Sequence, residues 1–501
     1  MPGQVTHAHW SQLSEFIAET TGLHFPPERL ADLERGVAEA ARELGFADVA
    51  AYVCWLLSTP PAKAQWQVLA NHLTIGETYF FRDKKAFDIL ANHILPELVR
   101  VRRSGERRLR IWSAACSTGE EAYSLAILLR RVLPDWRDWH VSIVATDINT
   151  GFLQKAAAGI YGEWSFRDAP AGFKERYFNR TGEGRYAVRP EIKKLVNFAF
   201  LNLVEDVYPS LATDTNAMDV IFCRNALMYF TPPQMCKAIG NLHRALVEGG
   251  WLVVSPSEAS HTLFPQFVTV NFPGAILFQK HDAMDWTERT SARPSETAEF
   301  VAPAIETPSR WAPQGPTGRS TQPPPALPSE APAPAAAAPP PYAVAELLYQ
   351  QGGYAEAAAT LLAAFAEHVP EPPAFSLLAR ALANQGKLTD ALAWCDRWIT
   401  ADKLDSAGHY LRAVILLEQG DREQARASLQ RAVYLHPDFV LAHFALGNLT
   451  RGLGRNVEAD KHFANAQHLL RGYRPDDPLP ESDGLTAGWL AQSITAMGST
   501  P

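Results

Sequence analysis

Four glycines, Gly352, Gly386, Gly420 and Gly454, stand 34 residues apart, and Ala357, Ala391, Ala425 and Ala459 keep the same spacing five residues further on. No other feature restricts the fold of this chain so tightly. A period of this length is a supersecondary unit, two helices and a turn, which buries its apolar face only against the next copy. The glycine serves the turn, the alanine lets paired helices approach, and Leu361, Leu378, Leu392, Leu411, Leu429 and Leu446 fill the stack. Residues 386–391 and 420–425 are the clearest turns. The pattern predicts four helix pairs over about 342–472, an all-α solenoid whose first pair lacks a strong pattern in its first helix. Beyond Pro475 the chain is polar apart from Trp489 and Leu490, so 473–501 reads as a loose tail.

The other organising stretch is 110–121, Arg-Ile-Trp-Ser-Ala-Ala-Cys-Ser-Thr-Gly-Glu-Glu. Leu109 to Ala114 is an apolar run with the look of a short buried strand. It breaks into small residues through Gly119, and the chain then takes helical periodicity to Arg131. Strand, small-residue turn and helix open a nucleotide-binding βαβ unit, in which the backbone must approach a ligand closely. A second strand, 140–146, ends on Asp147, where a carboxylate can accept hydrogen bonds from ribose hydroxyls. On pattern alone, a strand–helix–strand whose Asp147 caps the next helix fits equally well. Most glycines of the dinucleotide fingerprint are missing, and the acid lies further on than the roughly 20 residues such folds use. That argues against NAD and leaves room for another adenosyl ligand.

At 501 residues the chain has room for about three domains. Its net charge of −8 gives no reason to expect nucleic acid as partner. The five cysteines are scattered without a C-x-x-C pair, which suggests reduced thiols in a cytoplasmic protein. The first ten residues are polar, without the pattern of a signal peptide, and no apolar run is long enough to span a bilayer. None of the fifteen histidines sits at a metal-ligand spacing inside a motif, so no metal is expected.

Residues 10–95 read as helices. On the second, from about Pro27 to Leu44, Arg29, Arg35 and Arg42 recur at near-heptad spacing and share roughly one face, either a solvated face or a docking surface. Residues 73–83 follow no clean period and look like a segment wrapped over something; alternatively, Phe80 and Phe81 are simply core. After the βαβ unit, glycines and short strand-like pieces mark a small β-rich insertion at about 159–200. Strands resume at 196–200, 219–223 and 251–255, with a helix from about Pro233 to Val247 and a final strand pair. Alternating strands and helices imply a mostly parallel sheet, whose ligands sit at the carboxyl ends of the strands. Asp147, Asn202, Arg224 and Asn225 all fall at such ends. Residues 282–341 read as a linker, because 13 of the chain's 37 prolines lie between Val301 and Pro341.

The succession LTIGETYFFRD (73–83), IWSAACSTGEEAYS (111–124), ATDI (145–148), LNL (201–203) and FCRNALMYF (222–230) resembles the CheR methyltransferases. That family transfers methyl from S-adenosylmethionine to glutamate side chains of chemotaxis receptors. The resemblance covers about 10–281 and implies an α/β class I, Rossmann-like methyltransferase fold (86–281) behind a helical N-terminal domain (1–85). It further implies that Gly76, Thr78, Arg82, Glu120, Asp147, Asn202, Leu203, Arg224 and Asn225 bind the cofactor, Asp147 at the ribose and Arg82 with Glu120 at the methionine end. Glu120 and Glu121 both fit the motif. Gly76 stands where the family usually has Asn, so one side-chain hydrogen bond is lost or replaced.

The 34-residue period is that of tetratricopeptide repeats. A CheR-like unit, a proline-rich linker and such repeats together resemble the Wsp-type methyltransferases, which modify a membrane-bound receptor of biofilm-linked signalling. The repeats then imply an unidentified protein partner. The substrate carboxylate is already ionised at neutral pH and needs no general base, so alignment and desolvation carry the reaction. Tyr229 is the residue best placed to line the methyl-transfer site, or a core tyrosine; Cys223 reads as a packed thiol. Some family members tether to a receptor C-terminal peptide that adds to the β-subdomain. Here the subdomain turns tightly at 181–184, and engagement of acidic receptor helices through Arg29, Arg35 and Arg42 is expected instead. The competing reading is a non-catalytic adaptor, repeats fused to a degenerate nucleotide domain.

Overall fold

The protein is described by a computed structural model covering residues 5–59, 61, 63–170, 172–281, 340–367 and 372–498. The proline-rich linker reading falls almost wholly outside the described residues.

Four helices form the N-terminal domain: α1 (His7–Thr21), α2 (Leu30–Glu43), α3 (Val49–Ser58) and α4 (Lys63–Leu73). Their apolar faces close a core of their own around Leu13, Ile17, Leu33, Val37, Tyr52 and Leu69. Thr6 and Asp48 cap α1 and α3 by accepting from backbone N–H groups. Gly22 ends α1 at φ +79°, and a Cβ there would stand 2.6 Å from the Val204 side chain. Only glycine lets this helix end lie so close to the next domain. An antiparallel bridge between Leu23 and Phe230, with the His24 N–H donating to the Tyr229 carbonyl at 2.7 Å, completes the docking.

After α5 (Lys84–Ile89) and α6 (Leu95–Arg102) the chain enters a seven-stranded sheet. Its strands are β1 (Arg108–Ala114), β2 (His140–Asp147), β6 (Val196–Phe200), β7 (Met218–Cys223), β8 (Leu246–Val253), β9 (Val268–Phe272) and β10 (Ala275–Gln279). The order is β6-β2-β1-β7-β8-β10-β9, with β10 antiparallel to both neighbours. The central strands are parallel, with β1 buried along its whole length, as both-face coverage by helices requires. Helices α7 (Glu120–Val132), α8 (Thr150–Ala158) and α11 (Pro232–Ala245) make the main crossovers. The insertion is a three-stranded antiparallel sheet, β3 (Ile160–Tyr161), β5 (Arg185–Val188) and β4 (Phe178–Thr181), with short helices α9 (Phe173–Tyr177) and α10 (Pro190–Lys193). Residues 196–200, at the end of the range read as insertion, belong to the main sheet as β6.

Eight helices follow in pairs: α12 (Pro341–Gln350) with α13 (Tyr354–Glu367), α14 (Pro372–Asn384) with α15 (Leu388–Ala401), α16 (Ser406–Glu418) with α17 (Arg422–Leu435), and α18 (Val440–Gly452) with α19 (Asn456–Leu470). The four spaced glycines all occupy the left-handed region, φ +76° to +85°, so the period marks a real backbone requirement. Two findings differ from the sequence reading. The polar tail carries α20 (Ala487–Gly498), whose Trp489, Leu490 and Ile494 are buried and which packs on α4, α8 and β6. The repeats also join the α/β half, although a proline-rich linker suggests few cross-contacts. At 2.6 Å from Arg244 and Arg108, Cβ atoms on Gly352 and Gly386 would collide, and one on Gly420 would strike the His140 ring. Glu418 of α16 is buried against Arg108 (3.1 Å), Arg110 (3.6 Å) and Asn216 (2.9 Å). Burial alone would penalise these charges; together they satisfy one another. The solenoid thus covers the amino ends of the parallel strands and leaves their carboxyl ends open.

Candidate active site

The carboxyl ends of β6, β2, β1 and β7 meet the helical domain across a cleft that is open at its mouth. This is where an open parallel sheet holds its ligand. Ala115, Cys116 and Ser117 line it after β1, Asp147 and Ile148 after β2, Leu201, Asn202 and Leu203 after β6, and Arg224, Asn225 and Ala226 after β7. The far wall comes from Leu23, Phe25, Arg29, Thr74, Thr78 and Arg82. Phe81, Asp83, Ala115, Ser117 and Asn225 have positive φ without being glycine, and all five lie in loops that border the cleft. Strain gathers here, as it does at ligand sites.

Asp147 is buried and accepts from the Ser117 and Asn149 N–H groups, each at 2.8 Å. Burial raises its pKa from 3.8 to about 6, against those bonds. It does not cap α8; Asn149 does, accepting from the Phe152 N–H at 2.9 Å. The structure also separates the two glutamates that the motif leaves open. Glu121 lines the cleft, accepts from Ser113 Oγ at 2.7 Å and pairs with Arg224 at 3.2 Å. Glu120 turns away to Thr118 Oγ1 (2.6 Å) and Ser165 Oγ (2.9 Å), because successive helix residues point about 100° apart. Assigning Glu120 to the cleft is therefore corrected to Glu121. Burial pushes both carboxyls up.

Arg224 is almost wholly buried, between Glu121 and Asp83 (3.4 Å) and over the Phe87 ring. Arg82 donates to the Glu77 carbonyl at 2.5 Å. Asn202 donates to the Thr20 carbonyl at 2.9 Å, tying the strand end to α1. Tyr229 lines the rim, with the Arg29 guanidinium 5.0 Å from its ring centre. This corrects the arginine face. Arg29 lies in the turn before α2 and points to the cleft, stacked on Phe25 and Tyr229. Arg35 and Arg42 do share a face of α2, but pair with Asp32 and Glu39, each at 2.7 Å. Gly76 is not in the lining, and a Cβ there would stand 2.6 Å from the Phe152 ring. Phe152, absent from the sequence reading, fills the room an Asn would need.

Also unforeseen is Glu258, a buried carboxylate that accepts from the N–H groups of Asn225 (2.7 Å), Ala226 (2.8 Å), Met228 (3.2 Å) and Ser255 (3.1 Å) and from Ser255 Oγ (2.6 Å). It holds the loop carrying Asn225 and Tyr229. An acid in the small-residue run 255–260 was its only sequence signal. The thiols of Cys116 and Cys223 are pushed well up by burial, which suits packed thiols rather than nucleophiles. Two buried polar atoms at the cleft, Ser117 Oγ and Arg224 Nε, have no protein partner. A lining with carboxylates, guanidinium groups, unused polar atoms and a closely approaching backbone fits a zwitterionic nucleoside ligand such as S-adenosylmethionine.

Known proteins agree with this geometry. The model of the CheR methyltransferase all-alpha domain matches residues 8–74, that of the CheR methyltransferase SAM binding domain matches 76–274, and tetratricopeptide repeat models match 342–406 and 410–470. A chemotaxis protein methyltransferase of Borreliella burgdorferi is 30% identical over 256 residues, 51% of this chain and 89% of that protein. Chemotaxis protein methyltransferase 1 of Pseudomonas aeruginosa is 36% identical over 217 residues, 42% of this chain and 77% of that one. The probable biofilm formation methyltransferase WspC of the same organism is 28% identical over 422 residues, 84% of this chain and 90% of its own length. Cofactor cleft, helical domain and repeats together make this chain an S-adenosylmethionine-dependent methyltransferase that belongs to the CheR family and carries C-terminal tetratricopeptide repeats.

Proposed function

We propose that this enzyme methylates glutamate side chains of a membrane-bound chemotaxis-type receptor, tuning a chemosensory or surface-sensing, biofilm-linked pathway from the cytoplasm. The observation that carries the reading is the convergence of Asp147, Glu121, Arg224 and Tyr229 on one cleft. The names of the relatives, chemotaxis and biofilm methyltransferases, support the substrate class.

Bound S-adenosylmethionine supplies an electrophilic methyl group on a sulfonium. Asp147 would accept from the ribose hydroxyls, Glu121 would face the ammonium of the methionine end, and Arg82 its carboxylate. Thr78, Asn202, Leu203, Arg224 and Asn225 would wall the remainder, with Phe152 standing in for the side chain that Gly76 lacks. Tyr229, braced by Arg29, closes the end where substrate enters. A glutamate carboxylate, of pKa about 4.3, is ionised at neutral pH and attacks without a base. Among the described residues no histidine lines the cleft, in keeping with catalysis by alignment and desolvation.

The turn Gly182–Gly184 joins β4 to β5 directly, which supports engagement without a peptide tether. Arg35 and Arg42 remain candidates for contact with the receptor's acidic helices, a contact that salt would weaken. Mass spectrometry of a receptor cytoplasmic fragment incubated with enzyme and cofactor tests the reading. Base-labile methyl esters on glutamates are expected; methylation confined to another residue type, or none, would overturn it.

A further inference from the structure

The first helices of the repeat pairs present a face that the chain itself already occupies. Residues 478–486 close into a loop there: Pro478 bridges Thr486, the Leu479 N–H donates to the Leu485 carbonyl at 2.8 Å, and Ser482 Oγ donates to the Leu479 carbonyl at 2.6 Å. Leu479 and Leu485 are buried. The two acids of the loop meet one cation. Arg380 of α14, its side chain 8% exposed, holds Glu481 at 2.6 Å and Asp483 at 2.8 Å. Both acids sit at positive φ, +62° and +54°, a conformation that costs energy in residues with side chains. Beside the loop an open hollow continues along α16 and α18, past Ser406, Phe439 and Val440.

A guanidinium buried on a repeat surface is tolerable only with acids against it. Here a strained loop of the same chain supplies them, and the adjoining cavity leaves room for more of a ligand than the loop fills. We propose that residues 478–486 are an internal occupant of the repeats' recognition face, and that the partner protein binds there through a short acidic segment. Such a segment takes Arg380 from Glu481 and Asp483 and frees the loop. Release is felt beyond the repeats, because the loop leads into α20. There Gln492 bonds Gln67, and Gln67 in turn donates to the carbonyl of Ile148, a cleft residue, at 2.7 Å. The proposal rests on the repeats being a protein-binding module and is independent of the methyl-transfer reading.

The probe is a fluorescent peptide with the chain's own sequence 474–486, and the control is the same peptide with Gln and Asn in place of its Glu481 and Asp483. The full-length E481Q/D483N protein should bind the acidic probe on the order of tenfold or more tighter than the unaltered protein, since the internal competitor is weakened. Adding R380Q should abolish the gain, and the control peptide should not bind. Equal binding by both proteins, a gain that survives R380Q, equal binding of both peptides, or no binding at all would overturn the proposal. Should the double variant fail to fold, hydrogen exchange in the unaltered protein decides. Faster exchange in 487–498 with excess acidic peptide, but not with the control, supports displacement; identical exchange refutes it. A methyl-transfer assay run alongside reports separately on the catalytic reading.

Discussion

Replacing Glu258 by Gln tests how the site is held with almost no change of volume. Its carboxylate accepts five hydrogen bonds, four of them from backbone N–H groups of the 225–228 loop and Ser255. An amide has one acceptor oxygen. Whichever way it turns, two buried N–H groups, those of Asn225 and Ser255 or those of Ala226 and Met228, face an NH2 donor. Each such loss costs about 1–3 kcal/mol, so the substitution should cost roughly 2–4 kcal/mol after relaxation. If about half is expressed as opening of the loop, cofactor affinity falls roughly tenfold, the equivalent of 1.4 kcal/mol. Calorimetric titration with S-adenosylmethionine and a thermal unfolding scan read the two parts. Unchanged affinity together with an unchanged midpoint would refute the idea that Glu258 holds the loop.

Three further outcomes are expected. Glu121→Gln should weaken cofactor binding by about 1.5–3 kcal/mol, measured by calorimetry, while Glu120→Gln leaves affinity nearly unchanged, since a charge-assisted hydrogen bond to the ligand is lost only in the first. The Asp147 carboxyl, raised to about 6, should make cofactor affinity fall as pH drops through 6. Its effect on the ligand-free fold has the opposite sign: a raised carboxyl costs stability that sets in as pH rises from about 4 to 6, so titrations and melts across that window should trend oppositely. Glu418→Ala strands Arg108 at the buried interface, while Arg110 keeps Asp214 at 2.6 Å, and should cost about 3–5 kcal/mol by chemical unfolding; a loss below about 1 kcal/mol would mean the repeats do not brace the catalytic half.

What the sequence disclosed depended on how local the cause was. The turn glycines at φ +76° to +85°, the strand entering the small-residue turn and the acid closing β2 are set by neighbouring residues, and each could be recognised where it stood. Glu120 and Glu121 could not be told apart from the motif alone, because only the helix start decides which one faces the cleft. Arg29 shares a face with Arg35 and Arg42 only in a helix that begins before it, and α2 begins at Leu30. The clamp of Glu258 on the Asn225 loop bridges some 30 residues, and that of Glu418 on Arg108 bridges 310. The polar tail reads as loose because the cation that pairs its acids, Arg380, stands a hundred positions earlier. Long-range pairing of charges leaves no period or motif to read.

The central claim is that the cleft at the carboxyl ends of β6, β2, β1 and β7 holds the methyl donor. Calorimetric titration of S-adenosylmethionine into the full-length protein and into Asp147→Asn tests it most directly. The account predicts one site per chain and a loss of about 2–4 kcal/mol in the variant, since two charge-assisted bonds to the ribose are weakened. Equal affinity in both proteins, with the variant folded, would contradict it.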